Sequence, residues 1–86
     1  MKEEVVFSVQ PNPFSASLTI SIEKQNIKHV SLIIRNVLGA IVLSESESNF
    51  DGECSIPVDL NFLSKGIYFL EIVADGERAN RKIVKE

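Results

Sequence analysis

Apolar and polar residues alternate along most of the chain with the period of two that half-buried β-strands require, and no stretch carries a helical period of useful length. Leu18, Ile20 and Ile22 alternate with Thr19 and Ser21; Val30, Leu32 and Ile34 alternate with Ser31, Ile33 and Arg35. A further run spans residues 40–44, and Ser55-Ile56-Pro57-Val58 reads as a short strand whose proline suits a sheet edge, where a missing N–H breaks no ladder. The strongest strand runs from Ile67 to Ala74, with Tyr68, Leu70 and Ile72 on one face, and a last one covers Glu77 to Val84. A short opening strand around Val5 to Val9 brings the expectation to about seven.

The punctuation agrees with that division. Asp75-Gly76 between two strands predicts a two-residue hairpin, because a type I′ turn needs positive φ at both central positions. Asn36-Val37-Leu38-Gly39 predicts a longer hairpin loop closed by its glycine. The polar stretch 45–53 reads as an exposed loop, and Leu60 to Leu63 as a single helical turn ahead of Gly66. Short strands with turn signals every 8–12 residues or so predict an all-β fold, an immunoglobulin-like antiparallel β-sandwich of about seven strands. Leu63, Gly66 and Tyr68 stand where a tyrosine corner belongs; an ordinary strand tyrosine is the competing reading.

Pro11-Asn12-Pro13-Phe14 is the most unusual local feature. Two prolines restrict φ, and Asn12, placed before Pro13, is steered toward extended geometry. A stiff polyproline-like bend is expected, delivering Phe14 to the edge or core of the sandwich.

With 86 residues the chain makes one domain: residues 1–4 read as a linker or remnant and residues 5–86 as the folded unit. Hydrophobic residues at 44% and charged residues at 24% are ordinary for a globular protein. A net charge of −3 gives no basic footprint for nucleic acid. No apolar run approaches the roughly 18 residues of a transmembrane helix, and the N-terminus lacks the apolar segment of a signal peptide.

Catalytic chemistry finds little to stand on. His29 is the single histidine and sits at a strand start, so a hydrolytic triad has no evident base; no enzyme activity is expected. Cys54 is alone, which rules out an internal disulfide and reads as a small buried apolar residue. Glu47 to Gly52 imitates the first half of a calcium loop, but Val58 stands where the last ligand would be. A solvated loop is the reading, with neither metal nor cofactor.

Taken in order, Pro11-Asn12-Pro13-Phe14, Leu18-Thr19-Ile20, Asn36 to Gly39, Leu60 to Leu63, Gly66-Ile67-Tyr68-Phe69-Leu70 and Arg81-Lys82-Ile83-Val84-Lys85 resemble the C-terminal sorting domain of type IX secretion cargo in Bacteroidetes. The resemblance spans residues 6–85. It maps the family's proline motif onto Pro11, Asn12, Pro13 and Phe14 and its hairpin glycine onto Gly39. Its glycine-aromatic strand falls on Gly66, Tyr68 and Phe69, and its terminal strand on Lys82, Ile83 and Val84. Asn36 stands where an aspartate is frequent, and Gln10 where an apolar residue often precedes the prolines.

The resemblance implies an export module at the end of a longer parent. Such cargo reaches the periplasm by an ordinary signal peptide and is recognised by the outer-membrane translocon. A sortase then commonly removes the module, with the cut near or before Val5, and the cargo remains at the cell surface or is released. Implied partners are translocon and sortase proteins and the attached upstream cargo; open sandwich edges allow a homodimer by strand addition. The recognised surface is expected to combine the terminal strand, basic through Arg78, Arg81, Lys82 and Lys85, with the hairpin at Gly39. Lysine at a sheet edge also blocks aggregation, a competing role for these bases. Replacing Arg81, Lys82 and Lys85 by Gln is expected to lower secretion with little change in melting temperature. The alternative function is a generic immunoglobulin-like accessory or adhesion domain, carbohydrate-binding included, against which stand the absence of Trp and a single tyrosine, Tyr68, committed to the fold.

Overall fold

The computed structural model describes residues 6–23, 27–48 and 54–86. Within them seven strands form two antiparallel sheets: β1 (Phe7–Gln10), β2 (Ser17–Ile22), β3 (His29–Arg35), β4 (Ile41–Ser48), β5 (Cys54–Asp59), β6 (Gly66–Ala74) and β7 (Glu77–Lys85). One sheet has the order β1-β2-β5 and the other β4-β3-β6-β7, an immunoglobulin-like arrangement.

The alternation seen in the sequence becomes the core because register matches apolar residues to each other. Leu18, Ile20 and Ile22 of β2 stand opposite Val58, Ile56 and Cys54 of β5. Across the other sheet, Val30, Leu32 and Ile34 of β3 oppose Ala74, Ile72 and Leu70 of β6, and Tyr68 opposes Ile83 of β7. All of these are buried. Each large side chain so buried stabilises the fold by about 1.5–3 kcal/mol. Pro57 lies on β5, an edge strand, as its missing N–H requires.

The β6–β7 hairpin turns at Asp75 (φ 49°) and Gly76 (φ 86°), the positive pair of a type I′ turn. The Asp75 carboxylate does more than shape its own turn. Its Oδ1 accepts from the backbone N–H of Lys28 at 3.1 Å and of His29 at 3.0 Å, tying the hairpin to the start of β3.

Four expectations are corrected. The segment from Glu45 to Ser48, read as loop, continues β4; residues 49–53, with most of the calcium-like stretch, lie outside the described residues. Register places Glu45 opposite Leu32 and Glu47 opposite Val30, yet both glutamates are exposed because the three-stranded sheet leaves β4 uncovered. Periodicity failed there because Val42 and Leu43 pack on the core, whereas among the described residues nothing covers the half of β4 beyond them to demand apolar residues. Charge pointing inward on an edge strand also discourages sheet-to-sheet pairing. Residues 60–63 form one turn closed by Leu63 N–H to Leu60 O at 3.1 Å rather than a helical segment. The bonds preceding Pro11 and Pro13 are both cis, where the sequence predicts a polyproline-like bend. The opening strand, expected from Val5 to Val9, starts at Phe7 and runs to Gln10.

Candidate functional site

The residues singled out in the sequence converge on one end of the sandwich, around the last turn of chain. β7 is an edge strand, so the outward backbone groups of Lys82, Val84 and Glu86 face away from β6 and need partners. The proline bend supplies them. Asn12 Oδ1 accepts from Val84 N–H at 3.1 Å, and Asn12 Nδ2 donates to Lys82 O at 3.2 Å. Phe14 N–H then donates to Val84 O at 2.9 Å, and its carbonyl accepts from Glu86 N–H at 2.8 Å. Prolines cannot donate from the backbone, so a side-chain amide, carrying both donor and acceptor, stands in for a strand residue between Pro11 and Pro13. Phe14, 1% exposed, fills the core beneath.

Lys85 points inward and is buried. Its ammonium donates to the carbonyls of Leu60 at 2.8 Å, Asn61 at 3.2 Å and Leu63 at 2.7 Å. Three N–H donors meet three acceptors, which is what allows a charge to stay buried there. Lys85 therefore does not belong with the surface bases, and its exchange for Gln is expected to cost stability, unlike the expectation from sequence. Lys85 stands opposite Gly66, whose φ of 151° lies in a region that side chains rarely adopt.

Tyr68 takes the tyrosine-corner geometry: it is buried, and its hydroxyl donates to Ser64 O at 2.7 Å. Arg81 reaches across to the other sheet, with its guanidinium 4.5 Å from the Phe7 ring centroid and Nη2 donating to Phe7 O at 3.1 Å. Ile83 is core, whereas Lys82 and Phe69 are exposed neighbours on the outer face. Gly39 closes the β3–β4 hairpin at φ 88°, where Asn36 organises the loop. Asn36 Oδ1 accepts from Leu38 N–H and Ala40 N–H, each at 3.0 Å. Only the oxygen is used, so asparagine does here what an aspartate could.

A family model described as secretion system C-terminal sorting domain matches residues 8–86. The chain belongs to that family. Comparison with curated proteins gives no match. As a type IX sorting domain it is an export signal, and the family implies contact with the type IX machinery and a destination outside the cell.

In the sorting domain the proline motif, Gly66 and the terminal strand meet directly, and Gly39 lies at the same end of the β4-β3-β6-β7 sheet. Ile83 and Tyr68 face the interior. Sequence reasoning missed Glu71, whose carboxylate receives Arg35 Nη1 and Arg78 Nε, each at 3.2 Å, across three strands. Its signal was a lone acid on the outer face of an apolar strand. The buried thiol of Cys54 is pushed up from its ordinary value, first by burial and then by the Glu47 carboxylate, which keeps it unreactive.

Proposed function

We propose that this module directs an attached cargo through the type IX translocon across the outer membrane, that it is read as a folded unit, and that a surface sortase then removes it. The module itself performs no chemistry. The match of the sorting-domain family over residues 8–86 carries the reading. The arrangement of the motif supports recognition of a fold over recognition of a linear tail. Proline-motif atoms and terminal-strand atoms are bonded to each other, so the terminal segment is presented in one conformation. Cleavage by a sortase belongs near or before Val5, ahead of β1.

The test is a periplasmically targeted fluorescent reporter fused ahead of residues 5–86, expressed in a type IX-competent bacterium and in a strain lacking the translocon. Reporter at the surface or in the medium only in the competent strain is the expected result. Reporter held in the periplasm of both strains, with the module folded, would transfer the assignment to an accessory domain.

A further inference from the structure

The two outer faces of the sandwich differ in chemistry. That of the β1-β2-β5 sheet is polar: Ser8 pairs with Ser21, Gln10 with Thr19, and Ser21 with Ser55. That of the β4-β3-β6-β7 sheet is apolar at the motif end. Ile41, Arg35, Phe69 and Lys82 lie side by side in one row across its four strands, and Ile67 beside Val84 forms the next row. Ile41 is 55% exposed, Phe69 46% and Ile67 42%, and the adjoining hairpin adds Val37 at 66% and Leu38 at 88%. Core packing does not need these side chains, since Ile34, Leu70 and Ile83 already fill the inner face of the same strands. A cluster of exposed large apolar residues is what a docking surface presents.

Charge narrows the partner. Among the strand residues of this face, Arg35, Arg78 and Lys82 are basic and Glu71 is acidic, so the face is net positive on a domain of charge −3. Two copies meeting by this face would oppose like charges. The four strands span about 20 Å by 30 Å, on the order of 600 Å², which is one partner's share of a small transient interface and too little for an obligate dimer. Glu71 already engages Arg35 and Arg78, orienting them within the sheet, which suits directional bonds to carboxylates better than diffuse attraction to lipid headgroups.

We infer that the outer face of the β4-β3-β6-β7 sheet, centred on Phe69 with Ile41, Ile67 and Lys82, is the surface that docks on a protein of the export machinery, whose own surface is apolar with an acidic rim. This rests on the export reading above. Phe69 is the anchor, Ile41 and Ile67 extend the dry contact, and Lys82 and Arg35 meet partner carboxylates at its margin.

The experiment uses the same reporter fusion carrying Phe69→Thr with Ile41→Thr, Lys82→Glu alone, or Thr19→Lys on the opposite outer face. Thermal melts of each purified module accompany it. Secretion should fall about tenfold or more for the first variant, the effect of losing an aromatic anchor, and clearly for Lys82→Glu, with melts near that of the unaltered module. Thr19→Lys should secrete normally. Unaltered module retained in the cell would sink the export reading and this inference together. Unaltered module secreted, with both face variants secreted equally well, would overturn the face alone. Phe69-dependent pelleting of the purified module with phosphatidylglycerol vesicles would also overturn it, by assigning the face to lipid.

Discussion

Asn12 bonds to the backbone flanking Val84 much as a neighbouring strand would, accepting from Val84 N–H at 3.1 Å and donating to Lys82 O at 3.2 Å. One side chain thereby protects part of an open sheet edge and fixes the path of the chain's last strand. Replacing Asn12 by Ala removes both bonds. The expected loss is about 1–2 kcal/mol, or about 4–8 °C in Tm for each kcal/mol. Faster hydrogen exchange at the Val84 amide is the more specific readout, and an unchanged rate there would contradict the assignment.

Lys85 and Lys82 should behave oppositely although they are near neighbours on one strand. Lys85→Met leaves the carbonyls of Asn61 and Leu63 without their donor and Leu60 O with the Leu63 N–H alone, and about 2–4 kcal/mol of stability should be lost. Lys82→Gln, on the exposed face, should stay within about 0.5 kcal/mol of the parent. Urea titrations of the two variants decide the matter, and equal midpoints would contradict it.

Gly66→Ala separates backbone strain from crowding. A Cβ at Gly66 would meet nothing within 4 Å, but the φ of 151° disfavours any side chain. A loss of about 1–3 kcal/mol is expected from strain alone, measurable as a lower urea midpoint with an unchanged m-value. A neutral substitution would mean the backbone relaxes without penalty.

Tyr68→Phe keeps the buried ring and removes the hydroxyl that donates to Ser64 O at 2.7 Å. About 1 kcal/mol should be lost, with the near-ultraviolet circular dichroism of the folded state otherwise similar. Thermal melts check this, and no shift would reduce the corner to packing alone.

Cys54 links stability to alkaline pH. Burial, with the Glu47 carboxylate adding to it, raises the folded thiol above its ordinary value, so the unfolded chain releases the proton first. The thiol's contribution is therefore complete below the unfolded value of about 8.5 and is lost as pH rises through the folded one. Between about pH 7 and pH 10 the parent should lose more stability than Cys54→Ala does, and maleimide should label Cys54 quickly only in urea. Rapid labelling of the native protein would contradict the buried placement.

Strand positions and faces were legible because period-two alternation reports directly which side of a strand is buried. Leu18-Ile20-Ile22, Val30-Leu32-Ile34 and Tyr68-Leu70-Ile72 all turn inward as read. The Asp75-Gly76 turn was legible too, since positive φ is a local demand. Glu45 to Ser48 was not, because an uncovered edge strand leaves no hydrophobic signature. The proline motif stood out as unusual, but nothing local reveals that Asn12 completes a strand edge some seventy residues away.

An all-β chain of about seven strands, their inward faces, the tight turns and the likeness to a sorting domain follow from alternation, turn chemistry and motif order, which are written in neighbouring residues. Which basic residues are open to recognition follows from long-range packing alone. Lys85, Arg81 and Lys82 sit within five residues of one another, yet one is buried on a turn's carbonyls, one spans the two sheets and one lies on an exposed apolar face. Strand parity separates Lys82 from the others, but what each side chain meets depends on elements brought there from far along the chain. Burial and partnership are properties of that packing.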